Sequence, residues 1–151
     1  MLLKKGITQL ESMTTHFEKY DNHVSKAGVA WHIDHSLKVI IGVCNAIKKS
    51  DPANYKWKFN LARLYVFTMN SFPRGRGKAP ESVVAKGEIF EKDIFDQLRE
   101  ARKQLNEIMG LPEKSNFKHP YFGTLDLAQT IKFLEIHTTH HLKIIRDIIK
   151  D

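Results

Sequence analysis

The stretch that most constrains this chain is residues 124–150, where two histidines stand in the middle of an apolar face. Leu127, Ile131, Leu134, His137, His141, Ile145 and Ile148 follow one another at intervals of three or four residues, the spacing of a buried helical stripe. At about 1.5 Å per residue such a helix is roughly 39 Å long, enough to run the length of a bundle. Histidine takes the place of leucine in this pattern, and a buried imidazole needs partners for its ring nitrogens. Two imidazoles one turn apart on one face can share a single partner, a metal ion about 2.0–2.1 Å from each nitrogen. The competing reading is a pair of core histidines hydrogen-bonded to carbonyls or carboxylates.

The remaining periodicity is helical too. Leu10, Met13, Phe17 and Tyr20 mark a first helix over residues 7–20, and small and turn-forming residues follow it. A second helix over 29–48 carries Ile33, Leu37, Ile40, Ile41, Cys44 and Ile47, with Lys48 and Lys49 suited to its C-terminal dipole and Asp51-Pro52 ending it. Residues 54–69 read as helical through Trp57, Leu61, Leu64, Tyr65 and Met69, although their aromatic and β-branched content also suits an extended run. Two prolines and two glycines make 70–80 a loop. The third long helix spans 87–109 with Phe90, Ile94, Leu98, Ala101, Leu105 and Ile108 on one face, and Gly110-Leu111-Pro112 stops it. Residues 113–123 form a connection, and Thr124 is the expected cap of the fourth helix, with Asp126 in its first turn. These elements predict an all-α four-helix bundle with a long crossover between helices two and three.

With 151 residues and 42% apolar content, one domain over 1–151 is expected. The single cysteine, Cys44, excludes an internal disulfide and a cysteine-rich zinc site, and implies a reducing, cytoplasmic setting. No apolar run approaches the roughly 20 residues a membrane span needs, so no membrane partner is expected. A net charge of +7 raises nucleic-acid binding, but the lysines are spread along the chain and often stand beside acids. Only Arg74, Arg76 and Lys78 concentrate in one loop. That loop reads either as an anion-binding element or as a solvated connection.

Eight histidines is a high count for this length, and five lie in Trp31-His32-Ile33-Asp34-His35 and His137-Thr138-Thr139-His140-His141. A third ligand from helix two would complete a three-histidine site with an open position. By periodicity His32 lies nearer the apolar stripe than His35. His140 falls on the flank of its helix, while His16, His23 and His119 read as surface, loop or packing residues.

Trp31 to Leu37, the loop Phe72 to Pro80, His119-Pro120-Tyr121-Phe122-Gly123 and His137 to Leu142 together resemble the DinB/YfiT-like superfamily, closest to a bacterial branch of it, over nearly the whole chain. The resemblance implies a four-helix bundle holding a divalent ion, nickel or zinc, on a helix-two histidine and the H-x-x-x-H pair of helix four. By position those are His35, His137 and His141, with His32 as the alternate. Many relatives carry glutamine three residues after the last ligand, where this chain has Ile144. The resemblance also implies a metal-dependent transferase or hydrolase acting on a small anionic or thiol-containing substrate, with no catalytic side chain assigned. Arg74, Arg76 and Lys78 would bind the anionic group. A non-catalytic metal-binding or stress-response bundle is the second reading, and nucleic-acid binding the third. A homodimer is expected from apolar excess on helices one and three, as in relatives.

Overall fold

The apolar stripes become the contact faces of long helices in a computed structural model that describes residues 2–73 and 87–150. In chain order the elements are α1 (Leu2–Ser12), α2 (Val29–Lys48), α3 (Leu61–Met69), α4 (Glu91–Ile108), β1 (Asn116–His119), β2 (Gly123–Asp126) and α5 (Leu127–Ile149). The chain is mostly helical, with one small two-stranded sheet among the described residues. α2 packs against α4 on one side and α5 on another, and α1 closes against both α4 and α5. The shared interior holds Leu3, Ile7 and Leu10 of α1, Ile33, Leu37, Ile40 and Ile47 of α2, Leu98, Leu105 and Ile108 of α4, and Leu134 and Ile145 of α5, all essentially without solvent contact. Burying each such side chain contributes about 1.5–3 kcal/mol.

Helix two has its expected bounds; the others differ for local reasons. α1 gives way at Met13 to a 3-10 turn through His16. There the hydroxyls of Ser12, Thr14 and Thr15 donate to the carbonyls of Gln9, Glu11 and Ser12, competing with continued α-helical bonding. Tyr20, expected on the stripe, is exposed. Only Leu61–Met69 of the 54–69 stretch is helical, because the Asn60 side chain accepts from the Arg63 amide at 2.8 Å and so starts α3 there. α4 begins at Glu91, and Phe90, with extended backbone at the cap position, is exposed.

The clearest departure precedes α5. Residues 116–126 form an antiparallel hairpin with Phe117 opposite Leu125 and Lys118 opposite Thr124. Thr124 therefore lies in a strand and Asp126 is the cap, accepting from the Gln129 amide at 2.8 Å while the Gln129 side chain accepts from the Asp126 amide. Gly123 closes the turn at φ 71, a conformation that costs glycine little. His119 ties the same turn together: its Nδ1 accepts from the amides of Tyr121 and Phe122 at 3.1 and 3.2 Å, and its ring stacks on Phe122. His119 is thus a packing residue, as expected.

α1 approaches α5 closely at Gly6, where a Cβ would stand 3.0 Å from the Thr138 methyl. Cys44 is buried, and burial pushes its thiol up to about 12, making it a small hydrophobe rather than a nucleophile. No described helix is long and apolar enough to cross a membrane. The exposed apolar side chains concentrate on α3 and the residues before it, whereas α1 buries Leu3, Ile7 and Leu10 and exposes Leu2, and α4 leaves Phe95 exposed.

Burial lowers the His119 pKa to about 4, and its Nδ1 is already an acceptor. A base whose folded pKa lies below its unfolded value contributes stability that is complete above about 6.5 and is lost as pH falls toward about 4. We therefore expect the denaturant midpoint to fall across that window. His119→Asn should flatten the slope, as measured by urea unfolding at pH 7, 5.5 and 4.5.

Candidate metal centre

Four histidines meet where α2 packs on α5. The three that come together as potential ligands are His35, His137 and His141, each offering a nitrogen within 4.8 Å of the others. Their ring centroids are 4.6 Å apart for His137 and His141, 4.8 Å for His35 and His141, and 5.1 Å for His35 and His137. Around one tetrahedral ion at about 2.0–2.1 Å, ligand nitrogens stand about 3.3 Å apart. Holding one ion would therefore draw the rings closer together than they stand here.

His32 stands one step behind. Its Nδ1 is 2.9 Å from Nδ1 of His141, and its Nε2 is 3.0 Å from the Ser25 hydroxyl, which also accepts from the Ala27 amide at 3.1 Å. Periodicity favoured His32 for the inner position because a stripe has one centre. Here residues 32–37 of α2 are buried without a break, so both histidines point inward and the packing of α5 separates their roles.

The proton bookkeeping is consistent with ligation. One of the two facing Nδ1 atoms must carry a hydrogen. If it is that of His141, its Nε2 keeps a lone pair for an ion, while His32 accepts through Nδ1 and donates from Nε2 to Ser25. Burial, followed by the field of neighbouring histidines, holds His137 and His141 well below the usual 6.5 and His32 at about 4. These three rings are neutral at pH 7, the form that binds metal. His137 Nδ1 is buried and has no hydrogen-bond partner in the structure. An orphaned ring nitrogen beside two other imidazoles is what an ion would satisfy. A purely nitrogen donor set suits zinc, nickel or copper and not the oxygen-seeking magnesium or calcium.

Aromatic side chains wall the trio. Trp31 stacks on His35 with centroids 4.7 Å apart and planes 7° from parallel, Phe133 lies 5.8 Å from His137, and Phe72 meets His137 and His140 edge-on at 6.2 and 5.8 Å. His140 flanks His141 and is partly buried. Asp34, buried beside His35 in sequence, accepts from Lys38 at 2.7 Å and Gln97 at 2.8 Å, locking this turn of α2 to α4. Ser25, Phe72 and Asp34 were not singled out from sequence. Only the Asp34–Lys38 spacing of four residues gave a signal. Arg74, Arg76 and Lys78 lie outside the described residues.

No family model, curated protein or solved structure matches the chain. The centre is therefore defined by its own geometry: buried, close histidines able to hold a metal ion, of unspecified identity.

An unsatisfied buried polar atom costs about 1–3 kcal/mol. Replacing it by a hydrocarbon of similar volume should recover part of that. We expect His137→Leu to melt at a higher temperature than the parent in the presence of chelator, and to lose any rise in melting temperature on adding zinc. Calorimetry with and without metal checks both.

Proposed function

We propose that this protein is a metal-binding helical bundle of the DinB/YfiT-like kind. In this reading α1, α2, α4 and α5 are its four helices and α3 lies within the crossover. It holds one nickel or zinc ion on His35, His137 and His141. The observation that carries the proposal is the convergence of these three nitrogens, together with the orphaned Nδ1 of His137. When bound, an ion held by three neutral imidazoles keeps its full charge and supplies Lewis acidity at an open position. The chain's own residues do the rest. His32 and Ser25 hold His141, Trp31 holds the plane of His35, and Phe72 and Phe133 exclude water around His137.

The activity that fits such a centre is metal-dependent transfer or hydrolysis on a small anionic or thiol-containing substrate, with Arg74, Arg76 and Lys78 receiving the anionic group. Phe72 touches His137 and His140 and stands two residues before Arg74, which supports assigning the loop to this site. The second reading is a non-catalytic bundle whose histidines join α2 to α5. The direct His32–His141 bond favours it, as does the buried apolar Ile144, three residues beyond His141.

Metal analysis of protein without a histidine tag decides the first point. The parent should retain close to one equivalent of zinc or nickel after dialysis, and His137→Ala should retain none. His32→Gln should keep the ion with about 10- to 100-fold weaker affinity, the usual consequence of losing a ligand's supporting partner. Equal metal content in parent and His137→Ala would exclude this ligand set. A metal-free parent would leave the structural reading.

The loop has its own test. Changing Arg74 and Arg76 together to alanine should weaken binding of small carboxylate or phosphate ligands at least tenfold, with metal content and melting temperature unchanged. Isothermal titration of the metal-loaded protein reads this out.

A further inference from the structure

α3 is built inside out. Arg63, Val66 and Phe67 face the protein, while Leu61, Leu64, Tyr65 and Met69 are each more than half exposed, as are Trp57 and Phe59 on the extended approach to the helix. Leu61, Leu64 and Tyr65 share one side of the helix by their spacing of three and four, and that side faces solvent. A contiguous exposed apolar surface of this kind marks a place of contact.

The surface is also held in place. The Arg63 guanidinium donates to the carbonyls of Lys58, Phe122 and Thr124 and stands 5.8 Å from the Trp57 ring. Tyr55 Oη donates to Asp126, and the Asn60 side chain donates to the Tyr121 carbonyl at 3.0 Å. The aromatic side chains are therefore presented by a braced segment. Tyr121, itself exposed, lies beside it.

Along the segment itself every charged side chain is basic. No acidic residue occurs between Asp51 and Pro73, while Lys56 and Lys58 alternate with the exposed aromatics and are themselves exposed. We propose that this face docks on an anionic lipid surface. Trp57, Phe59 and Tyr65 would sit at headgroup depth, Leu61, Leu64 and Met69 would reach the acyl boundary, and the two lysines would meet lipid phosphates. Tryptophan and tyrosine favour that interface, and basic residues flanking an apolar face add electrostatic attraction. Such docking departs from the expectation of no membrane partner, which rested on the lack of a long apolar run; a peripheral contact needs none.

Two other occupants fit less well. In an isologous dimer the patch meets itself, placing the lysines of both copies on one rim with no carboxylate of residues 52–73 to pair them. Single-stranded nucleic acid would use the aromatic faces and arginine forks. Here the Arg63 donors are taken by carbonyls, and the aliphatic half of the patch would have no role.

The test is co-sedimentation of the full chain with vesicles of phosphatidylcholine alone or mixed with phosphatidylglycerol, at physiological salt. Binding to the mixed vesicles, absent on pure phosphatidylcholine and accompanied by a blue shift of tryptophan emission that Trp57→Phe removes, is the expected result. Leu64→Ser with Tyr65→Ser should reduce binding about tenfold or more. Lys56→Gln and Lys58→Gln should each reduce it about fivefold. These side chains point outward, so the melting temperature should not move, and His137→Ala should bind vesicles like the parent whatever becomes of the metal. The proposal is overturned by no binding to mixed vesicles, or by binding that survives the Leu64/Tyr65 change. It is equally overturned if that change abolishes a concentration-dependent dimer in sedimentation, which would give the face to a second copy, or if single-stranded oligonucleotide competes the protein off the vesicles through the same residues.

Discussion

Burying imidazoles in an apolar core is the constraint around which this structure is arranged. Each ring brings two nitrogens out of water, and a nitrogen left without a partner costs about as much as a lost hydrogen bond. His32, His35, His137 and His141 are placed on two helices so that they answer one another. His32 spans from Ser25 to His141, Trp31 covers His35, and His137 is left with one nitrogen unanswered. The rest of the interior is mainly hydrocarbon, as at Ile40, Cys44 and Ile47 of α2 and Leu105 and Ile108 of α4, with buried polar side chains such as Ser36, Gln104, Thr130 and Thr138 among them. The apolar core supplies the stability that a polar, under-satisfied site withholds, the usual division between scaffold and site.

The direction of α5 depends on its first turn as much as on its stripe. The Asp126–Gln129 capping box satisfies two amides, and the hairpin before it brings Phe117 and Phe122 against Phe133. Phe133 is one turn before His137, so the aromatic cluster that anchors the hairpin also packs the imidazole. Thr130 adds a bond from its hydroxyl to the Leu125 carbonyl. The helix start and the position of the histidine rings are in this way set by the same contacts.

The parts legible in the sequence were those with a long period. Seven positions of α5 repeat over six turns, and no local propensity overrides so many agreeing intervals. The three histidines that converge were readable for α5 from spacing, and for His35 from family resemblance alone, since the periodicity of α2 pointed to His32 while residues 32–37 are in fact buried without a break. The hairpin was not legible because four-residue strands offer only two alternations, and its turn is closed by a histidine side chain rather than by a familiar turn pair. The boundary of α1 depended on three hydroxyls competing with the backbone, a contest that composition alone does not decide. Phe72 and Ser25 became parts of the site only through tertiary approach.

α3 shows what happens when packing and pattern disagree. A nine-residue helix is marginal by itself, because nucleation is costly and few bonds follow it; helices of this length usually persist by burying an apolar face. This one buries little beyond Val66 and Phe67 and is held by polar means instead: the Asn60 cap, the carbonyl bonds of Arg63, and Asn70 closing the helix in the left-handed region at φ 50. Its exposed apolar residues, Leu61, Leu64, Tyr65 and Met69, therefore contribute little to the fold. Facing water, they do not stabilise the helix, which is the ground for assigning this face to contact with another surface. Three residues beyond Met69, Phe72 turns back against His137 and His140. One short segment thus presents an apolar face to the outside and contributes a wall of the histidine centre, so contact on the outer face would be made within a few residues of the site.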